Sequence, residues 1–81
     1  MNLCSYFGLA VRKHRECLGW SQEDLADKAE LDRTYISDIE RGRRNPSLSS
    51  IARLADALGV SLDMLFATVE EIKKTDKRKE L

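Results

Sequence analysis

Eighty-one residues, 42% of them hydrophobic and 35% charged, allow one small domain near the size at which a single core is only just sufficient. Two cysteines, Cys4 and Cys17, make no disulfide framework, no apolar run is long enough to span a membrane, and no signal peptide precedes the first predicted helix, so a cytoplasmic location is expected. Fourteen basic side chains balance fourteen acidic ones, which taken globally argues mildly against a nucleic-acid partner, although where the charges sit matters more than their sum.

The first helix is expected from about Ser5 to Leu18, with Phe7, Val11 and Leu18 along its buried side and Gly19 as its stop. Its basic run, Arg12, Lys13, His14 and Arg15, reads as a solvated face except at Arg15. His14 and Cys17 lie one turn apart and, with Cys4, suggest half a metal site. Zinc needs four convergent ligands, and no second Cys/His cluster follows, so no metal is expected. A Gly-rich phosphate loop, a nucleophile elbow and partners for the single histidine are all missing, so neither an enzyme nor a cofactor is expected.

Ser21 and Asp32 are N-cap types that open two short helices. Each is preceded by an apolar residue (Trp20, Leu31) and followed at the fourth helical position by another (Leu25, Ile36), the hydrophobic staple that sets the entry angle. Leu25, Ala26 and Ala29 share one face of the first, Ile36 and Ile39 one face of the second, which ends at Gly42. The opposite side of the second helix carries Thr34, Ser37, Asp38 and Arg41, flanked by Arg33 and Tyr35. Such hydrogen-bonding side chains suit a major groove, which admits one α-helix. Between Leu31 and Ser50, Arg33, Arg41, Arg43 and Arg44 face Asp32, Asp38 and Glu40, of which Asp32 is occupied as a cap.

After the loop Arg43-Arg44-Asn45-Pro46, Ser47 caps a fourth helix with the inward stripe Leu48, Ile51, Leu54, Ala55 and Leu58, ending at Gly59. Ser61 caps a fifth, with Val60 and Leu65 as its staple. The expected core gathers these stripes around Phe7, Trp20, Leu25, Ile36 and Ile39. In the fifth helix Leu62, Leu65, Phe66, Val69 and Ile72 continue one apolar stripe, with Glu70 and Lys74 as an i,i+4 pair. Either Leu65, Phe66, Val69 and Ile72 line a homodimer interface, or the helix folds back on its own core. One domain is expected over 1–75, followed by a basic tail over 76–81.

The segment 21–42, with Gln22, Leu25-Ala26, Ile36, Ile39 and the ending Glu40-Arg41-Gly42, resembles the Cro and phage-repressor-type helix-turn-helix family, and the likeness runs from Phe7 to Phe66. LDRTYIS and ERGRRNPSL resemble more narrowly the controller proteins of restriction–modification systems. The resemblance implies an all-α, five-helix bundle of the phage-repressor DNA-binding-domain type. It also implies a structural ion pair between Arg15 and Glu40, and a left-handed turn residue at Glu30, where the family usually has Gly.

The expected function is sequence-specific binding of double-stranded DNA by a homodimer on a rough palindrome. Gln22 and the free N–H groups beside it would grip a phosphate, with Arg41, Arg43, Arg44 and Asn45 adding backbone contacts. Arg33 can take a guanine, Thr34 a thymine methyl, and Ser37 either partner. Asp38 accepts from a cytosine amino group or pairs with Arg41, and Tyr35 reaches a phosphate or packs on the flank. The chain has no ligand-binding domain, so no small molecule is expected and occupancy follows protein concentration. Glu23 and Asp27 match acids that, in an activating phage repressor, face RNA polymerase. The alternatives are a DNA-binding antitoxin and a protein–protein adaptor reusing the fold.

Overall fold

Five short polar residues, each just ahead of an amphipathic run, decide where the helices begin. In the computed structural model, which describes residues 2–76, Asn2, Ser21, Asp32, Ser47 and Ser61 are the N-caps of α1 (Leu3–Cys17), α2 (Gln22–Ala29), α3 (Arg33–Glu40), α4 (Leu48–Leu58) and α5 (Leu62–Thr75). Each cap side chain accepts a backbone N–H from the first turn, which satisfies one of the donors a helix start leaves unpaired. At Ser21 the arrangement is reciprocal. Asp24 accepts from the Ser21 N–H at 2.9 Å while its own N–H donates to Ser21 Oγ at 3.0 Å. No strand occurs among the described residues, and the architecture is the all-α, five-helix bundle that the sequence resemblance implies.

The core is built from Tyr6, Phe7, Ala10, Val11, Leu25, Ala26, Ala29, Ile36, Ile39, Leu54, Ala55, Leu58, Leu65 and Val69. Helix α1 is its central strut. It packs on α5 through Phe7 and Phe66, whose ring centroids lie 5.7 Å apart, and through His14 Nε2, 2.9 Å from Thr68 Oγ1. The same Thr68 hydroxyl also lies 3.2 Å from Met64 O, one turn back in α5. The engaged His14 ring thus serves packing. At the far end the Tyr6 hydroxyl donates to Asp76 Oδ2 at 2.9 Å, tying down the end of α5. The remainder of the expected basic tail, 77–81, lies outside the described residues.

Several expectations are corrected at helix ends. Helix α1 starts at Leu3, because Asn2 rather than a later residue caps it, and Leu18 falls past its end with 46% of its surface exposed. Leu48, placed in the inward stripe of α4, is its first residue and is 78% exposed. Trp20 is half-buried at the rim of the core, under the Lys28 ammonium. Glu70 pairs with Lys73 at 3.6 Å and not with Lys74.

Two close approaches seat α3 on α1. A Cβ at Gly8 would lie 2.8 Å from the Glu40 carbonyl oxygen and closer still to that of Ile39, so only glycine lets the end of α3 cross α1 here. Gly42, with φ +76°, leaves α3 in the left-handed region directly against Ser5.

The α2–α3 turn pivots on Glu30, at φ 57° and ψ 44°, the one described residue other than glycine with positive φ. Arg53 Nη1 donates to its carbonyl at 3.3 Å, bracing the turn from α4. Glu30→Gly relieves about 1–2 kcal/mol of left-handed strain, partly offset by the greater freedom of glycine in the unfolded chain. A net gain of up to about 1 kcal/mol is expected as a raised midpoint in thermal denaturation. A lowered midpoint would contradict this account of the turn.

Candidate nucleic-acid interface

Helix α3 buries Ile36 and Ile39 fully and thereby turns its other face outward. Arg33, Thr34 and Arg41 are exposed, and Ser37 and Asp38 are half-exposed beside them. The loop residues Arg43, Arg44 and Asn45 are exposed at the helix end. Among the described residues no ion pair joins Asp38 to Arg41, so the Asp38 carboxylate faces the same surface as an acceptor. The result is one helical face of donors and acceptors with three arginines at its C-terminal margin. That chemistry matches base edges flanked by phosphates.

This face is held from behind by a buried ion pair. Arg15 Nε and Nη2 donate to the two Glu40 carboxylate oxygens at 2.7 and 2.9 Å, a bidentate contact in which both residues are over 90% buried. The third guanidinium nitrogen, Nη1, donates to Trp20 O at 2.7 Å, so α1, the α1–α2 corner and α3 meet at one cation. Hydrogen bonding to Glu40 raises the Arg15 pKa above its ordinary value against the opposing effect of burial, and the pair stays charged on the arginine side.

Gln22 extends this network to the surface. Its Nε2 donates to Glu40 Oε1 at 3.0 Å, and its Oε1 accepts from Arg33 Nη1 at 3.5 Å. One amide hydrogen remains for the phosphate contact expected of it. Sequence reasoning placed Gln22 at the DNA but missed this bridging contact. The signal was only that Gln22 opens α2 as Arg33 opens α3.

Tyr35 packs on the flank. Its hydroxyl donates to Ser50 Oγ at 3.3 Å, and Ser50 in turn receives the Ser47 hydroxyl. The Arg44 guanidinium lies over the Tyr35 ring, 4.7 Å from its centroid. Glu23 and Asp27 are both exposed on α2, four residues apart and away from the core.

The expected dimer stripe divides. Leu65 and Val69 are fully buried in the chain's own core, packed beneath α1, so they have no surface to offer a second subunit. Phe66 remains 37% exposed and Ile72 half-buried. Phe66 edges an apolar groove shared with Leu3, Pro46 and Ile51, and Leu62, 43% exposed, stands one turn before it.

Residues 11–65 match the model of the helix-turn-helix family, and the chain belongs to that family of DNA-binding transcription regulators. Within it, the chain resembles restriction–modification controller proteins. It is 52% identical over 60 residues to control protein C.BamHI of Bacillus amyloliquefaciens, covering 73% of this chain and 74% of that one. The crystal structure of the controller protein C.AhdI from Aeromonas hydrophila superposes with a TM-score of 0.75 at 44% identity, over 76% of this chain and 94% of that one. A hypothetical transcription factor of Neisseria meningitidis is 48% identical over 61 residues, 75% of this chain but 58% of its own length.

Proposed function

We propose that this chain binds a roughly palindromic operator as a homodimer and controls transcription of its own gene, in the manner of a restriction–modification controller. The observation that carries the reading is the α3 face: an exposed polar surface bounded by Arg41, Arg43 and Arg44 and braced by the buried Arg15–Glu40 pair. The coverage of controller proteins by this chain, 74% of C.BamHI and 94% of the C.AhdI structure, supports the narrower assignment. Arg33 reads a guanine and the loop arginines hold phosphates. The two copies of α3 enter successive major grooves about one helical turn apart. With Leu65 and Val69 buried, the subunit contact falls on Leu48, Leu62 and Phe66, which with Met64 are the exposed large apolar residues of α4 and the start of α5.

Arg33→Ala is expected to lose about 1–3 kcal/mol at one symmetric base pair per half-site while random DNA is bound nearly as before. Arg43→Ala should weaken all sequences alike and flatten the salt dependence. Competition binding with operator and random duplexes checks both, and equal losses on the two DNAs for Arg33→Ala would remove its base-reading role.

Glu23 and Asp27 form an exposed acidic patch on α2, and we assign it to contact with RNA polymerase at an activated promoter. Asp27 lies past the first turn of α2, where the helix dipole accounts for an acid. Glu23→Lys with Asp27→Lys should retain or tighten operator binding yet lose stimulation in purified transcription. Undiminished stimulation would take the patch out of the mechanism.

A further inference from the structure

Fourteen basic and fourteen acidic side chains cancel over the whole chain, but they are not evenly spread along it. Three of the basic ones, Lys77, Arg78 and Lys79, follow Asp76 directly, with Glu80 as the only acid after them. Residues 1–76 therefore carry eleven basic against thirteen acidic side chains. Without those three cations, a net negative body would approach a polyanion.

The point from which the three cations leave the domain is fixed. Asp76 ends α5, and its Oδ2 accepts from the Tyr6 hydroxyl at 2.9 Å. Tyr6 is 2% exposed and stands in the first turn of α1. Its neighbours in that part of α1 meet the margin of the α3 face. Ser5 lies against Gly42, the residue before Arg43, and Leu3, Cys4 and Phe7 share a groove with Asn45 and Pro46. Asp76 and the arginine loop thus lie on two sides of one helix, whose width is about 10–12 Å. Three extended residues span about 10 Å, so a chain leaving Asp76 reaches that margin.

We propose that Lys77, Arg78 and Lys79 bind DNA backbone phosphates next to those held by Arg43, and that the Tyr6–Asp76 hydrogen bond aims them there. The tether raises the effective concentration of the three cations at the loop. Their contacts add affinity and salt dependence, and they carry no sequence information. The inference rests on the DNA-binding reading above.

The test titrates the full chain against two labelled duplexes at several salt concentrations. One is the duplex upstream of the chain's own gene, the other a random sequence. Lys77→Gln, Arg78→Gln and Lys79→Gln are combined in one variant, and all three positions lie beyond α5. The variant should keep the wild-type thermal midpoint and weaken both duplexes by the same factor. Its plot of log affinity against log salt should be shallower by roughly two to three units. Between about 50 and 200 mM salt, the wild type should then lose roughly 10- to 40-fold more affinity than the variant. Lys77→Arg with Lys79→Arg, which keeps the charges, should bind as the wild type does. Tyr6→Phe removes only the anchoring hydroxyl, so it should weaken the wild type and add little to the triple variant. An unchanged salt slope in the triple variant, or a loss confined to one duplex, overturns the phosphate contact. Equal losses from Tyr6→Phe in both backgrounds overturn the anchor. If the wild type binds neither duplex at low salt, the DNA-binding reading itself fails, and the inference with it.

Discussion

Arg15→Ala is expected to destabilise the protein by about 3–5 kcal/mol, a large share of the roughly 5–15 kcal/mol available to a small domain. The size comes less from the lost attraction than from what is left behind. Glu40 is 8% exposed, and both its oxygens are committed to the arginine, with Gln22 as the remaining donor. Removing the guanidinium leaves a carboxylate in a site that water reaches poorly, and it also orphans the Trp20 carbonyl. Arg15→Lys restores a charge but not the fork, so it should recover only part of the loss. Chemical denaturation monitored by far-UV circular dichroism measures these differences. A loss below about 1 kcal/mol for Arg15→Ala would show the pair to behave as a surface salt bridge.

Val69→Asp should be comparably damaging, and for a reason that separates core from interface. Val69 is fully buried between α5 and α1, so a carboxylate there has neither water nor a cation, and a cost of at least about 3 kcal/mol is expected. Leu48→Asp with Leu62→Asp makes the contrast. Both residues are exposed, and each is the first residue of its helix, where an aspartate complements the helix dipole. The monomer should therefore tolerate the pair, while sedimentation velocity should show the dimer shifted toward monomer. A folded, dimeric Val69→Asp variant would contradict the packing of α5. An unshifted dimer in the Leu48/Leu62 variant would move the subunit contact elsewhere.

The helices and their order are legible in the sequence because local chemistry sets them. Ser21, Asp32, Ser47 and Ser61 stand where caps are expected, and the apolar stripes of α2 and α3 face inward as their spacing requires. Glu30 is left-handed, as its place in the turn implies. Periodicity fails where a residue's fate depends on a neighbouring element. Leu18 and Leu48 keep the apolar phase of their helices but lie at ends that nothing covers. Leu65 and Val69 share a stripe with Phe66, and only the crossing of α1 over α5 decides which of them is covered. Gly8 carries no periodic signal within α1, yet it is the opening through which the end of α3 reaches α1. On the α3 face, residue types could be read from spacing, whereas the bridge through Gln22 and the stack of Arg44 on Tyr35 are contacts between elements and left no periodic trace.

The central claim, sequence-specific binding of DNA by the α3 face, is tested most directly by fluorescence anisotropy. The probe is the duplex upstream of the chain's own gene, titrated with protein at several salt concentrations against an excess of random duplex. The account predicts a discrete complex with two chains per site. Its preference over random DNA should reach at least about a thousandfold, and its affinity should fall steeply with added salt. Equal affinity for the upstream and random duplexes, or no binding to either at low salt, would contradict it.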